Sequence, residues 1–542
     1  MACSCVYAKA QLVFTDFDLN PSGADLPSGF VQLGSKFILA ANDGINGTEP
    51  WVSDGTKAGS NMLLDISTGS STSSPADFVN LNGKVYFSAN NGVNGKELWV
   101  TDGTATGTQF IVDIYSGSGG GYQDNLMAYN GKLLFRGQEL TNGSELWISD
   151  GTVAGTTILK NINAGALSSA PQHLYQFNGK VYFSANNGTN GNELWVTDGT
   201  LAGTVMVKDI SAGSSSSNPD NFFAYGSKLL FTVFNELWMT DGTPAGTQKI
   251  MSGASAPSVS QPYFTLYNGK VYFSAADIIS DQELWVTDGT VTGTQMVIDL
   301  LPGSAPSSPK CMTVFNNKLY FRADDGIFGN ELYVTDGTAL GTGLVKDICP
   351  SSGTGSGIDY ITVYKQHMYF VASATYTVDK QLWRSDGTSA GTVMITPPGG
   401  SLTSPGIPLI GFFIFSTDSC LYFDAHFTNT GDDLWKINDT THYSNEVQIV
   451  HTPSSFSIYP NPNNGSFTIE TTTDFKNGSV TVCDMLGREV YQSPITPART
   501  YPFGTGGNSK SLITLTNQPK GMYLVKVQLD DVVETKRIVV EY

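Results

Sequence analysis

Residues 97–108 read Glu-Leu-Trp-Val-Thr-Asp-Gly-Thr-Ala-Thr-Gly-Thr, and close copies of this motif recur along most of the chain. Neighbouring copies are 43 to 52 residues apart. A period of this length is typical of proteins built from repeated supersecondary units. The tryptophan position of the motif falls at Trp51, Trp99, Trp147, Trp195, Trp238, Trp285, Tyr333, Trp383 and, in a divergent copy, Trp435.

Each repeat contains four short runs that are rich in β-branched and aromatic residues. In the copy that spans 78–114 these runs are 78–81, 84–89, 97–101 and 109–114, separated by glycine and asparagine. The first gap is Asn82-Gly83, a pair that favours a two-residue hairpin turn. We therefore predict that every repeat is a four-stranded antiparallel meander.

The two inner runs of a repeat, such as 85–87 and 98–100, are apolar without alternation, which is typical of sheets covered on both faces. Repeated four-stranded sheets of this kind form a β-propeller, whereas a parallel β-helix has much shorter coils. Nine copies predict nine blades, with eight as the alternative. We expect the run 12–19 to complete the last sheet and close the ring, although the run 447–450 could fill the same place.

The bulk composition excludes several classes of partner. The chain has 542 residues and a net charge of −19, with Lys+Arg 29 against Asp+Glu 48, so a polyphosphate would be repelled and we expect no nucleic acid.

No apolar run reaches the length of a transmembrane helix. Ala8-Lys9-Ala10 resembles a signal-peptidase site, and we interpret residues 1–10 as the remnant of a signal peptide.

The repeats span 11–450, followed by a linker at 451–455 and an alternating, strand-rich segment at 456–542 that predicts a separate β-sandwich. Residues 11–450 resemble the ELWxxDGT repeat proteins of bacterial surfaces. That resemblance implies an extracellular β-propeller-like array and no agreed activity.

Residues 456–542 resemble the type A C-terminal sorting domain of the type IX secretion system of Bacteroidetes-type bacteria. The resemblance implies that the type IX secretion machinery is a partner and that the protein is secreted or held at the outer-membrane cell surface. The residues that carry it are Tyr459, Pro460, Asn461, Pro462, Gly487, Gly521, Tyr523, Lys536 and Arg537.

The repeated carboxylates do not predict a catalytic site. Catalytic carboxylates form a unique pair in different environments, whereas Glu97 and Asp102 have counterparts in most copies. We interpret them as turn and strand-end residues and predict no catalytic residues. Cys311 and Cys349 flank one repeat and could pair.

The loops on one face of the ring differ between copies, and binding residues concentrate on loops that a rigid scaffold holds. Drift of unconstrained loops is the alternative explanation. The candidate ligand-binding residues, which precede the first strands near the axis, are Asp77, Asp124, His173, Asp220, Lys310 and Asp359. Weak candidates for binding calcium, the one cofactor considered, are Asp43, Glu49, Asp324, Asp325 and Glu331.

Three functions fit these patterns. The first is a monomeric, non-catalytic propeller that binds an extracellular glycan or protein. The second is an enzyme acting on polysaccharide or peptide, which would need a unique carboxylate pair drawn from Asp77, Asp124, Asp220 and Asp359. The third is a passive structural surface protein.

Overall fold

Regular structure in the described part of the chain consists of β-strands. The computed structural model describes residues 12–16, 19–20, 27–121, 124–250, 259, 262–276, 282–350, 355–375, 380–395, 409–416, 420–427, 431–439, 456–459, 465–471, 477–484, 488–495, 510–515, 518–530 and 532–540. The chain divides into two compact units, Met1–Thr440 and Thr441–Tyr542. The signal-peptide remnant, the run 447–450 and the linker 451–455 lie outside the described residues.

The first unit begins with strand β1 (Leu12–Asp16), followed by eight sheets of four consecutive antiparallel strands, here called blades 1 to 8. Blade 1 contains β2 (Ser28–Leu33), β3 (Lys36–Asn42), β4 (Thr48–Ser53) and β5 (Asn61–Met62). Blade 2 contains β6 (Ala76–Leu81), β7 (Lys84–Asn90), β8 (Lys96–Thr101) and β9 (Gln109–Val112). Blade 3 contains β10 (Asp124–Tyr129), β11 (Lys132–Glu139), β12 (Gly143–Ser149) and β13 (Thr157–Lys160). Blade 4 contains β14 (Gln172–Phe177), β15 (Lys180–Asn186), β16 (Asn192–Thr197) and β17 (Val205–Lys208).

The next four blades repeat this arrangement. Blade 5 contains β18 (Asp220–Tyr225), β19 (Lys228–Val233), β20 (Glu236–Thr240) and β21 (Gln248–Lys249). Blade 6 contains β22 (Thr265–Tyr267), β23 (Lys270–Ala276), β24 (Gln282–Thr287) and β25 (Gln295–Ile298). Blade 7 contains β26 (Lys310–Phe315), β27 (Lys318–Asp324), β28 (Asn330–Thr335) and β29 (Gly343–Lys346). Blade 8 contains β30 (Asp359–Tyr364), β31 (His367–Ala372), β32 (Gln381–Ser385) and β33 (Val393–Met394).

A ninth four-stranded sheet, here called blade 9, combines the N-terminal strand of the first unit with three strands from its C-terminal part. Its strands are β34 (Leu409–Ser416), β35 (Leu421–Phe427), β36 (Gly431–Asp439) and β1, which pairs antiparallel with β36 from Leu12 opposite Asp439 to Asp16 opposite Trp435. The prediction that the N-terminal run completes the last sheet is therefore confirmed. Covering the outer edge of β36 removes an unpaired row of backbone groups.

Neighbouring blades share hydrophobic clusters, which explains why the inner strands lack alternation. In one such cluster Phe183 and Trp195 of blade 4 pack with Leu134 and Leu146 of blade 3. Each sheet thus has one face against the preceding blade and the other against the next. Sheets buried on both faces need no polar face, and the all-β, propeller-like fold predicted from the repeats is confirmed.

The series of contacts returns to its start. Leu421 and Phe423 of blade 9 pack in a cluster with blade 8, while Cys420 and Tyr422 pack with blade 1. The ring of Tyr422 meets the ring of Phe37 edge-on, with their centroids 5.1 Å apart. Because alternate residues of one strand contact opposite neighbours, the nine sheets form a closed circuit.

The Asp-Gly-Thr part of the motif forms the turn between the third and fourth strands. In blade 2, Asp102 Oδ1 accepts hydrogen bonds from the Thr104 backbone N–H at 2.9 Å and from Thr104 Oγ1 at 2.7 Å. Gly107 N–H donates to Thr104 Oγ1 at 3.0 Å, and the Thr101 and Thr108 hydroxyls are 2.8 Å apart. These bonds explain why the motif recurs, because its polar side chains form hydrogen bonds with other groups of the same turn.

The second unit contains two small sheets around one core. A three-stranded sheet has the order β37 (Phe456–Tyr459), β38 (Ser466–Thr471) and β41 (Lys510–Thr514). A four-stranded sheet has the order β40 (Glu489–Ile495), β39 (Gly478–Asp484), β42 (Gly521–Leu529) and β43 (Val532–Val540). Both sheets contribute to the same buried cluster, which includes Phe467 and Val480. This arrangement is a small β-sandwich.

Candidate functional site

The first strands of the blades lie on the inner side of the circuit. Neighbouring first strands contact one another, as β2 with β6, β6 with β10, and β26 with β30. The N-terminal ends of these strands therefore surround the axis, on the same face as the second turn of each blade. We call this the axial face.

The first strands of blades 1 to 5, 7 and 8 carry a β-bulge near their beginning, whereas β22 of blade 6 pairs with β23 without a register shift. In blade 2, Ala76 is opposite Ser88, but the next paired residues are Val79 and Tyr86, so the partner strand is one residue short. The residue after the first paired position has a left-handed backbone, with φ of 57° for Asp77. A bulge re-aims a side chain and is a frequent feature of functional sites. The corresponding left-handed residues are Asn125, His173, Asn221, Tyr263, Cys311 and Tyr360.

The six residues proposed from the sequence occupy two different positions around this bulge. Asp124, Asp220, Lys310 and Asp359 are the first paired residues of their strands. Asp77 and His173 are one residue further on, at the left-handed position. The six residues are therefore not structurally equivalent, although the sequence pattern predicts one set. The sequence could not distinguish the two positions, because a bulge shifts the strand register without changing the local residue pattern.

Sequence reasoning missed the cations that meet these carboxylates. Arg136 Nε donates to Asp124 Oδ1 at 2.7 Å, and the two side chains form an ion pair within blade 3. Lys96 Nζ is 3.7 Å from Asp77 Oδ2 within blade 2. A comparison of copies could have revealed Arg136, since a serine or threonine stands at that position in several other blades.

His173 and Asp220 join two neighbouring blades. His173 Nδ1 is 3.1 Å from Asp220 Oδ1, and both side chains are close to half exposed. The two residues are 47 apart in sequence, so only the assembly of blades 4 and 5 brings them together.

Asp359 is the centre of the largest charged cluster on the axial face. Arg322 Nη1 of blade 7 donates to Asp359 Oδ1 at 2.9 Å and to the Ile358 carbonyl at 2.8 Å. Lys380 Nζ forms an ion pair with Asp359 Oδ2. The Cys311 thiol lies 3.9 Å from Asp359 Oδ1, and burial raises the pKa of that thiol. A raised pKa disfavours the nucleophilic thiolate.

A pocket of about 440 Å³ lies beside the cluster, where blades 5 and 6 meet. Phe223 of β18 and Phe264, which directly precedes β22, contribute to the pocket, with their ring centroids 5.6 Å apart. Lys310 Nζ lies over the ring of Tyr263 at 5.9 Å from its centroid, which links the pocket to blade 7. The described residues lining the pocket are Asn221, Phe222, Phe223, Pro262, Tyr263 and Phe264.

Blade 5, on one side of this pocket, departs from the scaffold of the other blades. Its second turn contains only Phe234 and Asn235, both left-handed, with φ of 49° and 61°. Its motif glutamate, Glu236, is partly exposed and binds Lys249 at 2.6 Å. In most other blades the same glutamate is buried.

In those blades the glutamate carboxylate accepts hydrogen bonds from the backbone of the segment that leads to the next blade, and we call it the clamp carboxylate. Glu193, for example, accepts hydrogen bonds from the backbone N–H groups of Ile210, Ser211 and Ser217 and from the Ser217 hydroxyl, at 2.6 to 3.3 Å. The clamp carboxylates, all with 0% exposure, are Glu49, Glu97, Glu145, Glu193, Glu283 and Glu331.

The proposed calcium residues are not brought together as one ligand set. Glu49 and Glu331 are clamp carboxylates whose oxygens accept four hydrogen bonds each. Asp43, Asp324 and Asp325 accept backbone N–H groups within their own turns. In the described ranges, no three His, Cys, Asp or Glu residues are grouped so that they could hold a metal ion.

No disulfide joins Cys311 and Cys349, so the pairing considered from the sequence is absent from this structure. Cys349 is buried, whereas Cys311 is partly buried near the axis. Cys3 and Cys5 lie outside the described residues.

The described sorting residues lie in the second unit. Tyr459 Oη donates to Glu470 at 2.7 Å, and Tyr523 Oη donates to the Pro519 carbonyl at 2.7 Å. Gly521 opens β42 opposite Val540, and Lys536 and Arg537 belong to β43. Pro460, Asn461, Pro462 and Gly487 lie outside the described part of the chain.

Residues 457–541 match the family described as the secretion system C-terminal sorting domain. No curated protein matches the chain. Among solved structures, it is similar to a prolyl endopeptidase, with 10% identity, a TM-score of 0.39, and coverage of 76% of this chain and 56% of the endopeptidase. It is also similar to the extracellular domain of the hybrid two-component system BT4673 from B. thetaiotaomicron, with 10% identity, a TM-score of 0.33, and coverage of 95% and 75%.

A membrane-spanning helix is not found among the described residues. The C-terminal match covers nearly the whole second unit and bears out the resemblance to a type IX sorting domain that its residues carry. Such a domain directs its cargo out of the cell through the secretion machinery. The chain is therefore a secreted or cell-surface β-propeller protein with a C-terminal type IX sorting domain.

Proposed function

We propose that this protein binds an extracellular ligand, a glycan or another surface protein, at its axial face and without catalysis. The observation that supports the proposal is a contrast between two sets of residues. The Asp-Thr turns of blades 1 to 8 form the same hydrogen bonds in every copy, such as those of Asp102 and Asp386. The axial positions instead differ between blades: the left-handed position alone holds Asp77, Asn125, His173, Cys311 and Tyr360 in different copies.

Two features favour binding over catalysis. Each of the four axial carboxylates proposed for an enzyme already has a side-chain partner: Asp77 has Lys96, Asp124 has Arg136, Asp220 has the imidazole of His173, and Asp359 has Arg322 and Lys380. A glycosidase needs two carboxylates that flank the substrate in different protonation states. The Cys311 thiol is also disfavoured as a nucleophile by its raised pKa.

The test is a binding screen with the full chain against glycan arrays and extracellular matrix proteins. We expect at least one ligand whose affinity changes at least tenfold when Asp220→Asn and Asp359→Asn are combined, falling for a neutral or cationic ligand and rising for an anionic one, because these changes remove two carboxylates from the axial face. The matched control is Leu201→Asp, which alters an exposed residue of a third turn at the other end of the blades and should leave binding unchanged.

The rival functions predict other results. Absence of binding across both panels would favour a passive structural protein. Turnover of a polysaccharide or peptide by the wild-type chain, lost in one axial variant, would favour an enzyme. Equal effects of the axial and third-turn variants would contradict the assignment to the axial face.

A further inference from the structure

Blade 7 contains an electrostatic mismatch that blade 3 lacks. In blade 3, Arg136 is directly opposite Asp124 in the strand register. In blade 7, the equivalent Arg322 is directly opposite Lys310. Like charges placed opposite each other across two strands are destabilising. Blade 7 therefore holds a repulsive pair at the position where blade 3 holds an attractive one.

The neighbouring carboxylate compensates only part of this charge. Asp359 lies against Arg322 and Lys380, and Lys310, which is opposite Arg322 in the strand register, adds a third cation to this cluster. The described residues form no ion pair with Lys310, whose ammonium lies over the Tyr263 ring. The cluster thus carries a net charge of about +2 in a chain whose net charge is −19. Such a local excess of positive charge suits an anionic ligand.

Aromatic surface lies next to this positive charge. Tyr263 and Tyr360 have 39% and 41% of their surfaces exposed, although both are large aromatic residues. Tyr263 also lines the pocket of blades 5 and 6 with Phe223 and Phe264. Burial raises the pKa of Tyr263, and its further electrostatic neighbours are Cys311, Arg322 and Asp359. One tyrosine therefore joins the aromatic pocket to the cationic cluster.

We propose that blades 5 to 8 form a site for an anionic polysaccharide, in which Tyr263 and the pocket receive a sugar ring while Lys310, Arg322 and Lys380 bind its carboxylate or sulfate. An aromatic ring offers a flat apolar face to the C–H groups of a sugar, and arginine and lysine supply charged donors to the acid group. This inference rests on the proposed function and adds to it the ligand class and the location.

The negative net charge of the chain is compatible with such a ligand. At physiological ionic strength, exposed charges more than about 8 Å apart are largely screened from one another, so the nearby cations decide the interaction. A densely charged polyphosphate would still be repelled by its many contacts with the rest of the surface. A saccharide with one acid group per ring places fewer charges on the protein.

The experiment measures binding of the full chain to four probes: polygalacturonate, its fully methyl-esterified form, dextran sulfate prepared with about one sulfate per glucose, and unmodified dextran. Polygalacturonate and dextran sulfate distinguish a carboxylate from a sulfate ligand, while the two neutral polymers keep the sugar and remove the charge. We expect at least one anionic probe to bind at least tenfold more tightly than its neutral counterpart at physiological salt. Inorganic polyphosphate serves as a control for unspecific attraction and should bind more weakly.

The variants introduce residues that other blades already carry at the same positions, so that folding is preserved. Arg322→Ser, Lys310→Gln and Tyr263→Asn copy Ser88, Gln172 and Asn125. Each should weaken binding of the anionic probe at least fivefold. The matched control is Arg136→Ser, the same change at the equivalent position of blade 3, which should leave binding within twofold.

Several results would overturn the inference. Equal binding of charged and neutral probes would exclude recognition of the acid group, and equal losses in Arg136→Ser and Arg322→Ser would exclude the location. Tightest binding to polyphosphate would indicate unspecific attraction. If a neutral glycan or a protein binds the axial face and no anionic probe does, this inference fails while the proposed function stands. If nothing binds, both fail.

Discussion

The glutamate of the repeated motif is a candidate catalytic or calcium-binding residue in the sequence, but it has a structural role in the fold. Glu331 has 0% exposure, and its carboxylate accepts hydrogen bonds from the backbone N–H groups of Ile348, Cys349 and Ser356 and from the Ser356 hydroxyl. Burial raises its pKa from the ordinary value of 4.5 to about 7, against the opposing effect of these hydrogen bonds. The residue therefore fastens the link between blades 7 and 8.

The raised pKa of Glu331 predicts a pH-dependent stability. The folded state binds the proton more tightly than the unfolded state, so this contribution to stability is complete below about pH 4.5 and is lost as the pH rises through about 7. We expect the melting temperature of the wild type, relative to Glu331→Gln, to decrease between pH 5 and pH 8. Thermal unfolding of both proteins across this range checks the prediction. A difference that is constant or grows with pH would contradict it.

At the scale of single elements, the third turn of each blade determines which residues the motif tolerates. The turn brings the Asp102 carboxylate directly over Gly107, so that a Cβ atom at Gly107 would lie 2.0 Å from Asp102 Oδ1. The same contact recurs at the other copies of this glycine, such as Gly155 and Gly203. The second glycine of the motif is therefore required for space rather than for a left-handed backbone.

This contact predicts a local effect of Gly107→Ala. The added methyl group would displace the Asp102 carboxylate from the Thr104 N–H and hydroxyl, at a cost of about 1–2 kcal/mol from the lost hydrogen bonds. Amide hydrogen exchange at Thr104 should become faster, which mass spectrometry can measure. Gly343→Ala is the control, because Gly343 has no atom within 4 Å of an added Cβ. Unchanged exchange at Thr104 would show that the turn adapts.

The bulge at the beginning of most first strands is the element that shapes the axial face. It places a left-handed residue such as His173 or Tyr360 beside the first paired residue of its strand. Asparagine, aspartate and histidine adopt this backbone more readily than tyrosine does. The tyrosine copies, Tyr263 and Tyr360, therefore retain a less favourable backbone, and such strain is often found at functional sites.

At the scale of the whole first unit, stability depends on closing the circuit. Blade 9 takes its outermost strand from the opposite end of the sequence and packs against blades 8 and 1. Without β1, the outer edge of β36 would present unpaired backbone groups, and exposed edges of this kind pair with other chains.

The pairing of β1 with β36 predicts what happens when β1 can no longer form its hydrogen bonds to that strand. Phe14 and Thr15 are adjacent in β1, so one of the two backbone N–H groups points towards β36. We expect the double change to proline to lower the melting temperature and to produce oligomers in size-exclusion chromatography, since proline cannot donate to the sheet. The double change to alanine removes the side chains but keeps both N–H groups, and is the control. Equal behaviour of the two variants would show that pairing of β1 does not stabilise the ring.

The amino-acid sequence by itself determined the repeat, the four-stranded blades and the sorting domain. It favoured nine sheets closed by the N-terminal run, but left eight sheets and closure by the run 447–450 as alternatives. These features follow from local interactions. The hydrogen bonds of a turn such as that of Asp102 join residues at most seven positions apart, and the unbroken apolar pattern of the inner strands indicates that both faces of the sheet are buried. The sequence also separated the repeated scaffold carboxylates from the variable axial residues.

Only the tertiary structure decided which axial residues meet. Arg322 and Asp359 are 37 residues apart, and His173 and Asp220 are 47 apart, in different blades in both cases. No local pattern encodes such pairs, because their distance depends on the packing of blades around the axis and on bulges that shift the register. The pocket beside Tyr263 has the same origin, since its walls belong to two separate sheets.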